Sequence, residues 1–226
     1  MRSLTRLALT FLAGFCDTAS FIHMHGVFSA HVTGNFVVFA ASLAEGLNSS
    51  DYLKLICFPV FVGAVAFTSI VFTRASGKGG NPLARVLLLF ALTLILSALL
   101  ASVFGDTLAA FVTLLVVFAM GMQNTLHHFI PGPMTTVMTG TVMNTVAKLT
   151  KKLVEPQNAT LPATPPQAAG ASPSTLKLIS AFALGCAISA IFTKYAGYNA
   201  LWLPALMAAA ICWIESGKAK PAPICA

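Results

Sequence analysis

One carboxylate stands well inside an apolar stretch of this 226-residue chain, at Asp17. A charge at the centre of a membrane-spanning helix costs about 2.5–3.5 kcal/mol on insertion scales, so a carboxyl there needs a partner or a function. On a helical period Thr10, Ala13, Gly14, Asp17, Thr18 and Phe21 share one face, which aims the carboxylate from a small-residue stripe into a helix interface or cavity. Its chemistry would be the binding and release of a coupling proton or cation, the default role of intramembrane acids. The plain structural alternative is a carboxyl hydrogen-bonded to a neighbouring helix end, such as the one at Thr33-Gly34-Asn35.

Thr33-Gly34-Asn35 and Thr139-Gly140-Thr141 open two short apolar segments. Thr and Asn can cap free N–H groups there, and Gly lets backbone or ligand come close. Each helix start is a positive dipole end, and two such ends meeting near the bilayer midplane form a site for an anionic group. Tight helix crossing through small residues is the competing explanation. The doubling of the motif after a polar break favours a substrate site. Gln123 and Asn124 donate and accept without charge, which suits substrate binding or interhelical hydrogen bonds. Together with His31 they are expected to shape the pocket.

All five histidines fall in two break regions, His23, His25 and His31 in the first and His127 and His128 in the second. Six of the eight methionines lie in or beside the same windows. Imidazole and thioether suit copper-like metals, so His23, His25, His127 and His128 are an alternative metal-ligand set. Against it, His23-x-His25 and the adjacent pair His127-His128 put successive rings on different sides of a helix, and no H-x-x-x-H spacing occurs. Organic solute transport therefore ranks ahead of metal transport, with no metal and no cofactor expected.

These residues recur in pairs. Gly14-Phe15-Cys16-Asp17-Thr18 leads to Thr33-Gly34-Asn35, and Gly121-Met122-Gln123-Asn124-Thr125 leads to Thr139-Gly140-Thr141, at offsets of 107 and 106 residues. Gln123 and Asn124 thereby correspond to Cys16 and Asp17. Phe72-Thr73-Arg74 and Phe192-Thr193-Lys194 add a further echo. The chain reads as two repeats, 1–105 and 106–226, and doubled breaks in a membrane protein mark a binding site.

With 57% apolar residues, 8% charged and a mean hydropathy of +0.85, this is an all-α integral membrane protein by composition. The basic excess, 13 Lys and Arg against 6 Asp and Glu, sits at span ends, so nucleic acid is not an expected partner and the lipid bilayer is. Spans are expected over about 5–24, 56–73 and 86–104 in the first half and 108–128, 177–194 and 199–215 in the second. The segments 32–46 and 134–150 are too short to cross comfortably, and 155–175, rich in Pro, Ala and Gln, reads as a flexible loop. If both short helices cross, the repeats are parallel and basic residues divide 9 in and 4 out; if both are half-helices, the second repeat is inverted and they divide 11 and 2. The positive-inside rule favours the second arrangement: six full spans, two half-helices and both termini cytoplasmic.

The pattern Ala13-Gly14, Asp17 and Phe21, then Val27-Phe28-Ser29-Ala30-His31-Val32-Thr33-Gly34-Asn35, then Gly121-Met122-Gln123-Asn124 and Thr139-Gly140, resembles the YoaK-like family of bacterial inner-membrane proteins, a domain of unknown function. The resemblance covers nearly the whole chain except the 155–175 loop and implies a multi-helix bacterial membrane protein without supplying a substrate. Here the second motif reads Thr-Gly-Thr, which departs from Thr-Gly-Asn at Thr141.

The five cysteines are irregularly spaced with no C-x-x-C and read as reduced packing residues. The basic, apolar start resembles a signal peptide, but Phe15 and Asp17 flank Cys16, and no cleavage is expected. With no H-E-x-x-H, no G-x-S-x-G and no phosphate loop, an enzyme is not expected. The reading is a proton-coupled secondary transporter of a small polar or anionic metabolite, with a metal transporter and a membrane scaffold as alternatives. Assembly into a homo-oligomer stays open.

Overall fold

Residues 3–24, 26–77, 81–130, 135, 143, 146, 150 and 175–217 are described by the computed structural model. They form seven α-helices and no strand: α1 (Ser3–His23), α2 (Gly34–Glu45), α3 (Tyr52–Gly77), α4 (Pro82–Phe104), α5 (Ala109–Phe129), α6 (Thr175–Ala196) and α7 (Trp202–Ser216). Helices α1, α3, α4 and α5 overlie the segments 5–24, 56–73, 86–104 and 108–128, with ends that differ by up to four residues, as at both ends of α3 and the start of α4. The expected short helix over 134–150, apart from four isolated positions, and the loop ahead of Thr175 lie outside the described residues, and so do Thr139, Gly140 and Thr141.

The punctuation is local. Asn81 accepts a bond from the Ala84 N–H at 3.1 Å and Pro82 follows at the first helical position, so α4 starts there. Gly105 (φ 50°) and Gly197 (φ 56°) take the left-handed conformation that a side chain disfavours; the first folds α4 onto α5 and the second reverses the chain from α6 to α7, both through 3₁₀ turns. Three helical stretches, Ser49–Gly77, Pro82–Phe129 and Thr175–Ser216, are long and apolar enough to cross a membrane, the last two containing those turns. Helix α1 is not among them. Arg6 and Asp17 lower its hydropathy, and it is instead enclosed by the others, with Leu9, Leu12, Ala13, Phe15 and Cys16 all buried.

Contacts fix the helix directions. Phe11 meets Gly185, the Phe15 carbonyl accepts from the Ser189 hydroxyl at 2.8 Å, and His23 Nε2 lies 3.1 Å from the Thr193 carbonyl, so α1 and α6 run parallel. Gly121 touches Phe61 and Ala64, and Phe129 stacks on Phe72 at 4.2 Å, so α3 and α5 also run parallel. Cys212 lies beside the Ala84 carbonyl and Trp202 donates to Ser102, so α7 runs against α4. With the two hairpins, α1, α4 and α6 point one way and α3, α5 and α7 the other. Arg6, Arg74, Arg85 and Lys177 consequently lie at one end of the bundle, and Lys54 and Lys194 at the other.

The tightest crossings are reciprocal. A Cβ at Gly14 would sit 2.3 Å from the Phe182 carbonyl oxygen, and one at Gly185 2.2 Å from that of Phe11, so α1 and α6 meet backbone to backbone. A Cβ at Gly121 would sit 2.7 Å from that of Ala64 and 3.1 Å from the Phe61 carbonyl oxygen. Phe182, which meets Gly14, and Phe61, which meets Gly121, are 121 apart, whereas Phe72-Thr73-Arg74 and Phe192-Thr193-Lys194 are 120 apart. That echo is therefore one residue out of the packing register.

Between α1 and α3 the chain doubles back. It leaves α1 at His23, returns at Ala30 and His31 to the level of Asp17, about 9 Å down the helix, and climbs through α2 to Ser42. There the Ser42 hydroxyl donates to Asp51 at 3.0 Å, just ahead of α3, while Asp51 pairs with Lys54 and accepts from the Asn48 N–H at 2.7 Å. Asp51 and Lys54 are both buried. This cluster is the polar tie between α2, which otherwise buries only Asn35, and α3. Replacing Lys54 by Met is expected to strand Asp51 and loosen α2, seen as faster amide exchange over residues 36–51 with α4 unaffected.

Candidate functional site

The doubled-back segment is held in shape before it holds anything else. Gly26 (φ 71°) reverses the chain, and Val27 and Val32 are buried with Leu53, Cys57 and Val117. The buried Asn35 side chain spans the turn: its Oδ1 accepts from the Phe28 N–H at 2.7 Å and its Nδ2 donates to the Phe28 carbonyl at 2.9 Å. Gly34 leaves room for the Phe28 ring, whose nearest atom is 3.2 Å from where a Cβ would stand. The ring in turn packs on Phe21 at 4.9 Å between centroids.

This shape delivers three donors to Asp17. Oδ1 accepts from the Ala30 N–H at 2.6 Å and from the Ser29 hydroxyl at 3.3 Å, and Oδ2 pairs with His31 Nδ1. Asp17 is 4% exposed, while the His31 side chain keeps 34% of its surface. Each carboxylate oxygen thus has a partner, and the imidazole is the more exposed member of the pair. Beside the pair is a cavity of about 370 Å³ lined by Asp17, Thr18, Phe21, Phe28, His31, Phe182 and Cys186. His31 packs edge-on to Phe182 at 5.5 Å. A carboxylate–imidazole pair of this kind can take up and release one proton and can present a second ring nitrogen to a ligand.

The other expected site residues divide. Thr33, Gly34 and Asn35 do not line the cavity. The first N–H groups of α2 are already used, Gly34 on His31, Asn35 on Val32 and Phe36 on Thr33 at 2.8, 3.1 and 3.3 Å, and exposed Thr33 makes no capping bond. The helix start is closed by its own backbone rather than held open for an anion. Gln123, buried on α5, donates to the Leu9 carbonyl at 2.8 Å and to Thr135 at 3.2 Å, joining the two halves away from the cavity. Asn124 is half-buried beside it. The alternative metal set does not assemble: His23 lies at the opposite end of the bundle from His127 and His128, because α1 and α5 run in opposite directions, and His25 is outside the described residues. Among the described residues no three His, Cys, Asp or Glu side chains gather as metal ligands.

Phe182 and Cys186 had no sequence signal, since periodicity marks a helix face but not the helix that covers it. Phe28 stood inside the family motif without a role. Replacing Asn35 by Ala is expected to leave both backbone groups of Phe28 unpaired in a buried turn. At about 1–3 kcal/mol for each such group, the loss is read as a lower melting temperature in detergent.

The model of a family described as proteins of unknown function (DUF1275) matches residues 6–214. The chain belongs to that family. It is the YoaK-like family whose motifs the sequence resembles. No curated protein and no solved structure matches the chain. Within this DUF1275 protein, the family match runs through Asp17, the Ser29–His31 turn, Asn35 and the helix-crossing glycines alike.

Proposed function

We propose that this DUF1275 protein is a proton-coupled secondary permease for a small organic solute in the bacterial inner membrane, with the Asp17–His31 pair as the proton carrier and the adjoining cavity as the solute site. The observation that carries the reading is a buried carboxylate paired with a partly exposed imidazole at the wall of a cavity inside an apolar helical bundle. The coupling unit is then the pair, not Asp17 alone: the proton enters and leaves on His31, and Asp17 holds the charge that balances it.

An inverted repeat supports the same reading. Helices α1 and α5, α3 and α6, and α4 and α7, the pairs related by sequence position, run in opposite directions. The glycines of the repeat cross the partner half's helix in the same way, Gly14 against Phe182 and Gly121 against Phe61. Six spans with half-helices such as α2 entering and leaving at one end would bring Arg6, Arg74, Arg85 and Lys177 to the cytoplasmic side, in accord with the positive-inside rule. Inverted repeats of this kind rock against each other around a central site.

The first test is a thermal-shift screen of the purified protein against organic anions, nucleobase-like solutes and amino acids, and Cu, Ni and Zn ions, at pH 5.5 and 7.5. Stabilisation by one organic class, stronger at pH 5.5 and absent in Asp17→Asn, is the expected result. Stabilisation by a metal alone would overturn it.

A further inference from the structure

We infer that the solute is a monocarboxylate with a flat apolar body, of the size of a single aromatic ring, bound together with one proton at His31. The inference rests on the permease reading and adds the substrate class, and it narrows the polar metabolite expected from the sequence.

The polar groups at the cavity are few and mostly engaged. Both oxygens of Asp17 are taken by Ser29, Ala30 and His31. The Thr18 hydroxyl stands beside the Cys186 thiol. Among the described residues that leaves Nε2 of His31, with the neutral Thr18 hydroxyl, as the hydrogen-bonding positions on the wall, and of the two only the ring nitrogen can carry a charge. The rest of the wall is Phe21, Phe28 and Phe182. A sugar or a zwitterionic amino acid placed here would strip water from several polar groups and find only two partners. A ligand with one polar end and an apolar body loses nothing by the same transfer. A cation would have to displace His31 to reach the Asp17 carboxylate, which is 4% exposed.

The sign of the polar end follows from charge. With Nδ1–H directed at the Asp17 carboxylate, neutral His31 offers a lone pair at Nε2, and a second carboxylate would meet that lone pair and the field of Asp17, both repulsive. Once Nε2 takes a proton, the imidazolium stands between two carboxylates and donates to each. The balance is one proton gained at Nε2 and one anion bound, both given up on release, with no bond to carbon made or broken. The titratable groups facing His31 are Asp17 on α1 and Cys186 on α6, and neither other helix nor turn residue among those lining the cavity carries a charge. A cavity of about 370 Å³ lies at the lower end of ligand-site volumes and suits one ring.

The test is titration calorimetry of the protein in lipid nanodiscs with benzoate, acetate, L-lactate and L-aspartate, in two buffers of different protonation enthalpy, with empty nanodiscs subtracted. Benzoate is expected to bind at least tenfold tighter than acetate or lactate and, at alkaline pH where the unliganded His31 is neutral, to bind with uptake of about one proton and weaken about tenfold per unit. His31→Gln should cut benzoate affinity tenfold or more. Phe182→Ala should weaken it, while Phe182→Leu, which keeps an apolar wall, retains most of it. Proton-linked binding of lactate or aspartate but not benzoate would overturn the substrate class and leave the permease reading standing. Benzoate binding without proton uptake, or unchanged in His31→Gln, would overturn the role given to His31. Binding of none of the four with proton uptake would overturn the inference, and failure of the broader solute screen as well would overturn the permease.

Discussion

Asp17→Asn is expected to fold and to lose proton-linked solute binding altogether, whereas Asp17→Ala is expected to lose the fold as well. Asparagine keeps an oxygen for the Ala30 N–H, and its amide can donate to His31 Nδ1 once the ring changes tautomer, so the turn retains its anchor. It carries no charge to balance an imidazolium, and the site is left with a neutral pair. Alanine removes the acceptor of three donors, two of them on the buried residues Ser29 and Ala30. At about 1–3 kcal/mol for each stranded group the loss amounts to several kcal/mol, comparable with the stability of a small domain. Circular dichroism melting and solute binding measured on both variants separate the two effects.

Gly185→Ala carries the second large effect. The added carbon would stand 2.2 Å from the Phe11 carbonyl oxygen and 3.1 Å from the Phe15 amide nitrogen, and both are backbone atoms that no rotamer change can move. Helices α1 and α6 must separate by about 1 Å, and every contact of their shared face is strained. Overpacking of this kind costs about 1–3 kcal/mol where side chains can yield, and here they cannot, so the upper end applies. Phe182 and Cys186 sit within one turn of Gly185, so the cavity deforms with the crossing. A lower melting temperature and weakened solute binding together are expected. Gly63→Ala on α3, where a Cβ would meet nothing within 4 Å, should change neither.

Much of this was legible in the sequence because the physics that governs it is local or one-dimensional. The apolar runs, the break after His23 and the oddity of Asp17 follow from composition and spacing along the chain. On helix direction the chain offers only the distribution of Lys and Arg, whereas the directions of α1, α4 and α6 against α3, α5 and α7 come from contacts. What was not legible depends on which residue faces which across the bundle. Asn35 has the chemistry of an anion binder, but its two hydrogen bonds go to Phe28, seven residues back. His31 was read as a wall residue when it is the direct partner of Asp17. The Gly14–Gly185 crossing escaped because its counterpart uses Ala64, and because the second half has 14 more residues between the paired positions, 121 against 107, which hides the register from any fixed offset. The histidines clustered in sequence at matching breaks, and helix direction then sent His23 and His127 to opposite ends.

The central claim is that His31 and Asp17 together carry a proton with the solute. Its most direct measurement is internal pH in proteoliposomes facing an inward gradient of the solute found in the screen, with Asp17→Asn and His31→Gln reconstituted at equal density and protein-free liposomes as the baseline. Acidification above baseline is expected from the wild type and none from either variant. Acidification by the variants equal to that of the wild type, or solute entry by the wild type with no proton, would contradict it.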